Sequence, residues 1–137
     1  MIAVTVGMRV GVDSERMEVD RKGDLDGCAR QFCERERDYI FGGKSSPLER
    51  AERFYRIWTR KEAVLKAVGI GLGGGLDSFQ ISVNDCEVVA GQGGFRLGSR
   101  WFVQDFNTPA GYAGEVVPEG VLMPIRYRRR RVGKIED

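Results

Sequence analysis

The sequence predicts an α+β domain in which an antiparallel sheet packs against helices. Three observations carry this. Apolar and β-branched residues alternate near the start, a long and well-punctuated helical pattern fills the middle, and short strand-like runs separated by turn residues occupy most of the remainder. Strands and helices therefore come in blocks, unlike the regular alternation of a doubly wound sheet. A length of 137 residues suits one domain with its own core, and 42% hydrophobic and 31% charged residues are ordinary for a globular chain.

Taken in order, Ile2, Val4 and Val6 alternate, and Val10 and Val12 resume beyond Gly7, which predicts a strand over 2–13 with Asp13 at its end. Residues 20–26 read as a loop and about 26–40 as a helix partly buried through Phe32, Cys33, Tyr39 and Ile40. Gly42 to Ser46 is a linker. The main helix follows, with Ser46 as N-cap, Pro47 in the first helical position, Glu49 completing a capping box and Gly69 as C-terminal cap. Five glycines between Gly69 and Gly75 make a flexible connector. Strands are expected at about 78–83, 86–90, 94–97, 100–106 and 112–117, with turns at Asn84-Asp85, Gly91–Gly94, Gly98 and Pro109–Gly111. The domain is expected to span 1–120, and 121–137 to form a disordered basic tail.

Composition excludes several chemistries. The chain has no histidine, so Ser-His-Asp and Cys-His catalysis and histidine-containing zinc sites are ruled out, and any general base must be Asp, Glu, Lys or Tyr. The odd set of Cys28, Cys33 and Cys86, without an export signal, leads us to expect a reducing cytoplasm. No apolar run approaches the ~20 residues that span a bilayer. The net charge of +2 conceals an asymmetry. Arg126 to Asp137 holds six basic and two acidic residues, so the body is mildly acidic. Nucleic-acid binding by this tail is the weakest functional reading, because basic and aromatic residues do not interleave elsewhere.

The segment Phe54-Tyr-Arg-Ile-Trp-Thr-Arg-Lys-Glu-Ala-Val-Leu-Lys66 carries the most chemistry. Steps of four put Trp58, Glu62 and Lys66 on one helical face. Upstream, Gly11-Val-Asp-Ser-Glu15 offers Asp13 and Glu15, two apart on an extended segment and so pointing the same way. Carboxylates from a strand and a helix, beside a lysine, suit Mg²⁺ held next to a phosphate, since Mg²⁺ takes few carboxylates and completes its shell with water and substrate oxygens. The plainer alternative is a solvated acidic strand, a surface Glu62–Lys66 ion pair and a core Trp58.

Together the two motifs resemble the 4′-phosphopantetheinyl transferases, whose signature is G-(I/V)-D-x-E followed some forty to fifty residues later by F-x-x-x-W-x-x-K-E-A-x-x-K-x-x-G. Gly69-Ile-Gly-Leu72, Leu76-Asp-Ser-Phe79 and the pattern from Trp101 to Gly111-Tyr112 are similar to the surfactin-synthetase-type branch, and the resemblance covers roughly residues 9–117. It implies Mg²⁺-dependent transfer of the phosphopantetheine arm of coenzyme A to a serine of an acyl or peptidyl carrier protein. It further implies Asp13, Glu15 and Glu62 as metal ligands, Lys61 and Lys66 as coenzyme A contacts with Lys66 at the reacting phosphate, and Glu62 as the base for the carrier serine. Ser14 replaces a usually apolar residue. The chain also matches only the second of two similar halves in the long enzymes. The resemblance therefore implies a homo-oligomer, or a partner supplying the other half, and leaves an inactive carrier-binding half-domain as the alternative.

Overall fold

The computed structural model describes residues 1–19, 24–71, 73, 75–83, 88–89 and 100–128. The expected strand at 94–97, Cys86 and residues 129–137 of the tail lie outside the described residues. Among those described, strand β1 (Val10–Arg16) leads into helices α1 (Asp24–Ala29), α2 (Glu34–Phe41) and α3 (Pro47–Val68). Strands β2 (Gln80–Ile81), β3 (Val88–Val89), β4 (Gln104–Asp105) and β5 (Tyr112–Pro118) follow. The main sheet is antiparallel in the order β1-β5-β4, and β2 pairs with β3 separately. No described helix is long and apolar enough to cross a membrane.

Helix α3 forms where its sequence punctuation puts it. Ser46 Oγ accepts from the Glu49 amide at 3.2 Å, and the Glu49 carboxylate accepts from the Ser46 amide at 2.7 Å. Pro47 opens the helix, and Gly69, at φ 81°, closes it by donating its amide to the Leu65 carbonyl. One face of α3 (Ala51, Phe54, Ile57, Val64 and Leu65 among others) enters a core shared with Phe32, Ile40, Phe79, Ile81, Trp101, Val103 and Val117. Phe32, Phe54 and Trp58 form an aromatic cluster with ring centroids 5.6–6.2 Å apart.

Two expectations need correction. The N-terminal strand covers 10–16, not 2–13, so Asp13 lies mid-strand, and Ile2, Val4 and Val6 are exposed and unpaired. The single helix expected at 26–40 is two helices. Phe32 breaks away from the helical path into the core, and Glu36 caps the second helix by accepting from the Cys33 amide at 3.0 Å. Residues 121–128 run back along β4, where the Gln104 side chain donates to the Met123 carbonyl and accepts from its amide, both at 2.9 Å.

Gly11 sets how closely α3 lies on the sheet. A Cβ here would stand 1.9 Å from the Ala63 carbonyl oxygen and 2.7 Å from the Ala67 nitrogen, both backbone atoms of α3. Gly11→Ala is therefore expected to lift the helix from β1 and cost about 1–3 kcal/mol. Chemical denaturation checks this, and an unchanged midpoint would refute the close approach.

Candidate active site

Strand β1 and helix α3 cross with Asp13 and Glu62 on facing surfaces. Period-two alternation turns Gly11, Asp13 and Glu15 toward the helix, and the ladder sets Asp13 directly opposite Glu115 of β5. Lys66, one helical turn beyond Glu62, reaches back so that its Nζ lies 2.6 Å from Asp13 Oδ1. Lys66 remains about half exposed while Asp13 is buried. The cluster is thus open on its lysine side and closed on its carboxylate side.

Two oxygens here lack partners. Asp13 Oδ2 and Glu62 Oε1 are buried with no hydrogen-bond partner among the described residues. A buried carboxylate oxygen left this way is costly unless a cation or donor meets it. The Glu62 carboxyl is correspondingly pushed above its ordinary value, first by burial and then by Asp13, with Lys66 pulling down and Glu15 pushing up. The donor set, all hard oxygens with excess negative charge, fits an oxygen-seeking divalent cation that needs only one or two protein carboxylates. Among the described residues no three Cys, Asp or Glu side chains already converge as a metal cage, so Glu15 stands beside the Asp13–Glu62 pair without completing one.

The residues expected from sequence divide in the structure. Asp13, Glu15, Glu62 and Lys66 come together. Lys61 does not join them: it is fully buried, 2.9 Å from Glu36, and donates to the carbonyls of Leu76 and Phe79. Its expected contact with coenzyme A is corrected accordingly, because position 61 lies a hundred degrees round the helix from Glu62 and faces the core. Trp58 is half-buried between the aromatic cluster and a cleft of about 270 Å³ that Glu15, Leu25 and Cys28 also line.

A second polar cluster beside the site carries no sequence signature. Buried Arg60 donates to Glu115 at 3.0 Å, to Asp105 at 3.0 Å and to the Ser82 carbonyl at 3.3 Å, tying α3 to β4 and β5. Its partners lie 45 and 55 residues away in sequence, so nothing local marks it. Burial pushes the Glu115 carboxyl up to about 8, the neighbouring Asp105 adds to this, and Arg60 opposes it. At Asp105 burial also works upward, but Glu115 and Arg60 beside it outweigh it and hold that carboxyl below its ordinary value.

The pH consequence follows from the sign. Glu115 binds its proton more tightly folded than unfolded, so its contribution is complete below about pH 4.5 and is lost as pH rises through about 8. Asp105 works in the opposite sense: its contribution is complete above about pH 5 and is lost only as pH falls below its ordinary value of 3.8, outside this window. We expect stability to fall by on the order of 2–4 kcal/mol between pH 5 and 8.5, and Glu115→Gln to flatten most of that slope. Urea melts across this range check it; a wild-type slope no steeper than that of the variant would contradict the assignment.

The chain is 35% identical over 81 residues to the 4′-phosphopantetheinyl transferase gsp of Aneurinibacillus migulanus, a stretch covering 58% of this chain and 32% of that protein. It is 33% identical over 76 residues to a 4′-phosphopantetheinyl transferase of Bacillus subtilis, covering 56% and 32%. The chain thus spans about a third of the length of the curated relatives it matches. In fold it is similar to the holo-[acyl-carrier-protein] synthase of Thermotoga maritima, with a TM-score of 0.56 and 21% identity over 81% of this chain and 62% of that one. The profile of the 4′-phosphopantetheinyl transferase superfamily matches residues 9–117, from the residue before β1 to the penultimate residue of β5, and the chain belongs to that superfamily.

Proposed function

We propose that this chain transfers the 4′-phosphopantetheine arm of coenzyme A to a serine hydroxyl of an acyl or peptidyl carrier protein, in a Mg²⁺-dependent reaction. The observation that carries this reading is the Asp13–Glu62–Lys66 cluster, with two carboxylate oxygens buried and unpartnered beside a half-exposed lysine. Asp13 and Glu62 would hold the cation, with Glu15 alongside. When bound, the cation supplies charge neutralisation at the pyrophosphate of coenzyme A. Lys66 is free on its solvent side to turn from Asp13 to a phosphate oxygen. Glu62 takes the serine proton as Oγ forms a bond to phosphorus and the bridging oxygen leaves with 3′,5′-ADP. Such a reaction asks for positioning and charge neutralisation more than covalent participation, which suits a chain without histidine.

The assembly is part of the same reading. On the sheet face away from α3, Val10, Val12, Val116 and Phe106 line a groove of about 780 Å³ together with the exposed N-terminal segment. That face supports a homo-oligomer in which a second copy covers the groove and completes the coenzyme A site. Light scattering of the purified chain tests this. A strict monomer would transfer the role to a separate partner protein, as in the alternative of a half-domain inactive by itself.

The transfer itself is tested by intact-mass spectrometry of an apo carrier protein incubated with this protein, coenzyme A and Mg²⁺. We expect a gain of one phosphopantetheine on the carrier, abolished by chelation. A carrier mass unchanged across fatty-acid, polyketide and peptide carriers would overturn the reading for the chain alone.

A further inference from the structure

Lys61 adjoins Glu62 in the chain, yet all three hydrogens of its ammonium group have acceptors inside the protein. Nζ lies 2.9 Å from Glu36 Oε2 and 2.6 Å from the Phe79 carbonyl, and it also donates to the Leu76 carbonyl. It sits 4.4 Å from the centroid of the Phe79 ring. Glu36 is equally buried and equally committed. Its Oε1 accepts from the Ile81 amide at 2.8 Å, and its Oε2 accepts from the Cys33 amide at 3.0 Å. Two side chains therefore join the start of α2, the middle of α3 and the chain from Leu76 to Ile81.

A buried ion pair is an inefficient way to gain stability, since an apolar pair of the same volume often does as well. What it does that an apolar pair cannot is fix backbone groups at defined points. The segment that needs fixing is the glycine-rich stretch from Gly69 to Gly75, which leaves α3 three residues after Lys66. Gly69, Gly71 and Gly75 adopt left-handed conformations, with φ of 81°, 65° and 75°. Glycines offer no side chains by which packing could hold such a stretch. Its first residue is tied by the Gly69 amide to the Leu65 carbonyl, and the chain beyond its last residue is tied through Leu76 and Phe79 to Lys61.

We infer that Lys61 and Glu36 are positioning residues, a buried clamp that fixes the chain from Leu76 to Ile81, where the glycine-rich stretch ends, against the middle of the helix that carries Glu62. The role in catalysis rests on the transferase reading above; the role in fixing the segment does not. Neither residue touches substrate.

The test pairs Lys61→Met with Glu36→Leu in one chain and compares it with each single variant. Each single variant leaves a lone buried charge and is expected to melt well below wild type. The double variant leaves none and is expected to recover most of that loss. Two readouts then separate positioning from mere support. Amide hydrogen exchange at Ser78, which donates to the Gly75 carbonyl, and at Ile81 is expected to quicken at least tenfold in the double variant while exchange within α3 is kept. In the transfer assay its kcat is expected to fall tenfold or more at an unchanged KM for coenzyme A. Wild-type exchange and wild-type kcat together would overturn the clamp. A raised KM with kcat retained would instead make Lys61 a ligand contact and overturn it too. If the wild-type protein transfers nothing, the transferase reading falls alone, and hydrogen exchange still decides the clamp. Should the double variant not fold, Glu36→Gln keeps the side-chain shape and is expected to quicken exchange at Ser78 and Ile81. Unaltered exchange there would overturn the inference.

Discussion

Glu62→Gln is expected to lower kcat for phosphopantetheine transfer by about 10²–10⁴-fold while leaving the melting temperature unchanged or slightly raised. The two halves of this result have one cause. Glu62 is held near Asp13 and Glu15 with one oxygen buried and unpartnered, an arrangement that disfavours its anion in the resting protein. An amide of the same shape removes that repulsion, so folding loses nothing. It also removes the charge that would hold a cation and the oxygen that would take the serine proton, so transfer is lost. Asp13→Asn should give a similar loss of turnover, with the added effect that Lys66 loses its 2.6 Å ion pair. The intact-mass assay and a thermal melt on the same preparation suffice. Full turnover in either variant would remove the carboxylates from the mechanism.

How much of this was legible in the sequence depends on whether the deciding interaction is local. Helix α3 was legible to the residue at both ends, because Ser46, Pro47, Glu49 and Gly69 act within a turn of where they stand. Asp13, Glu15, Glu62 and Lys66 were legible as a group through two motifs whose spacing the fold closes up. The start of β1 was not. Alternation continues back to Ile2, but a strand needs a partner, and the β5 ladder ends with Pro118 opposite Val10, after which Gly120, at φ 84°, turns the chain. Lys61 was misread for a related reason. In sequence it is one more cation beside Glu62, and only Glu36, 25 positions earlier on another helix, makes its burial tolerable. Nothing in the sequence singles out Arg60, because Asp105 and Glu115 arrive from strands that the sequence does not place against it.

Arg60→Ala is expected to be the most destabilising single truncation at this cluster, at about 3–5 kcal/mol, or roughly 10–20 °C in melting temperature for a domain of this size. The guanidinium is the cationic partner of Glu115, which is itself nearly inaccessible, and it also bonds Asp105 and the Ser82 carbonyl. Its removal leaves the Glu115 carboxyl buried without a counter-charge on β5, the strand paired with Asp13. The loss should also depend on pH. Without Arg60 nothing opposes the upward push of burial on Glu115, so the variant should be worst at alkaline pH, where that group must ionise, and mildest near pH 5. Adding Glu115→Leu to Arg60→Ala removes the stranded charge and should return part of the stability, so the double-mutant cycle should show a coupling energy of at least ~1 kcal/mol. A loss below ~1 kcal/mol for Arg60→Ala, independent of pH, would mean that water reaches this cluster and that the sheet beneath the site is held by packing alone.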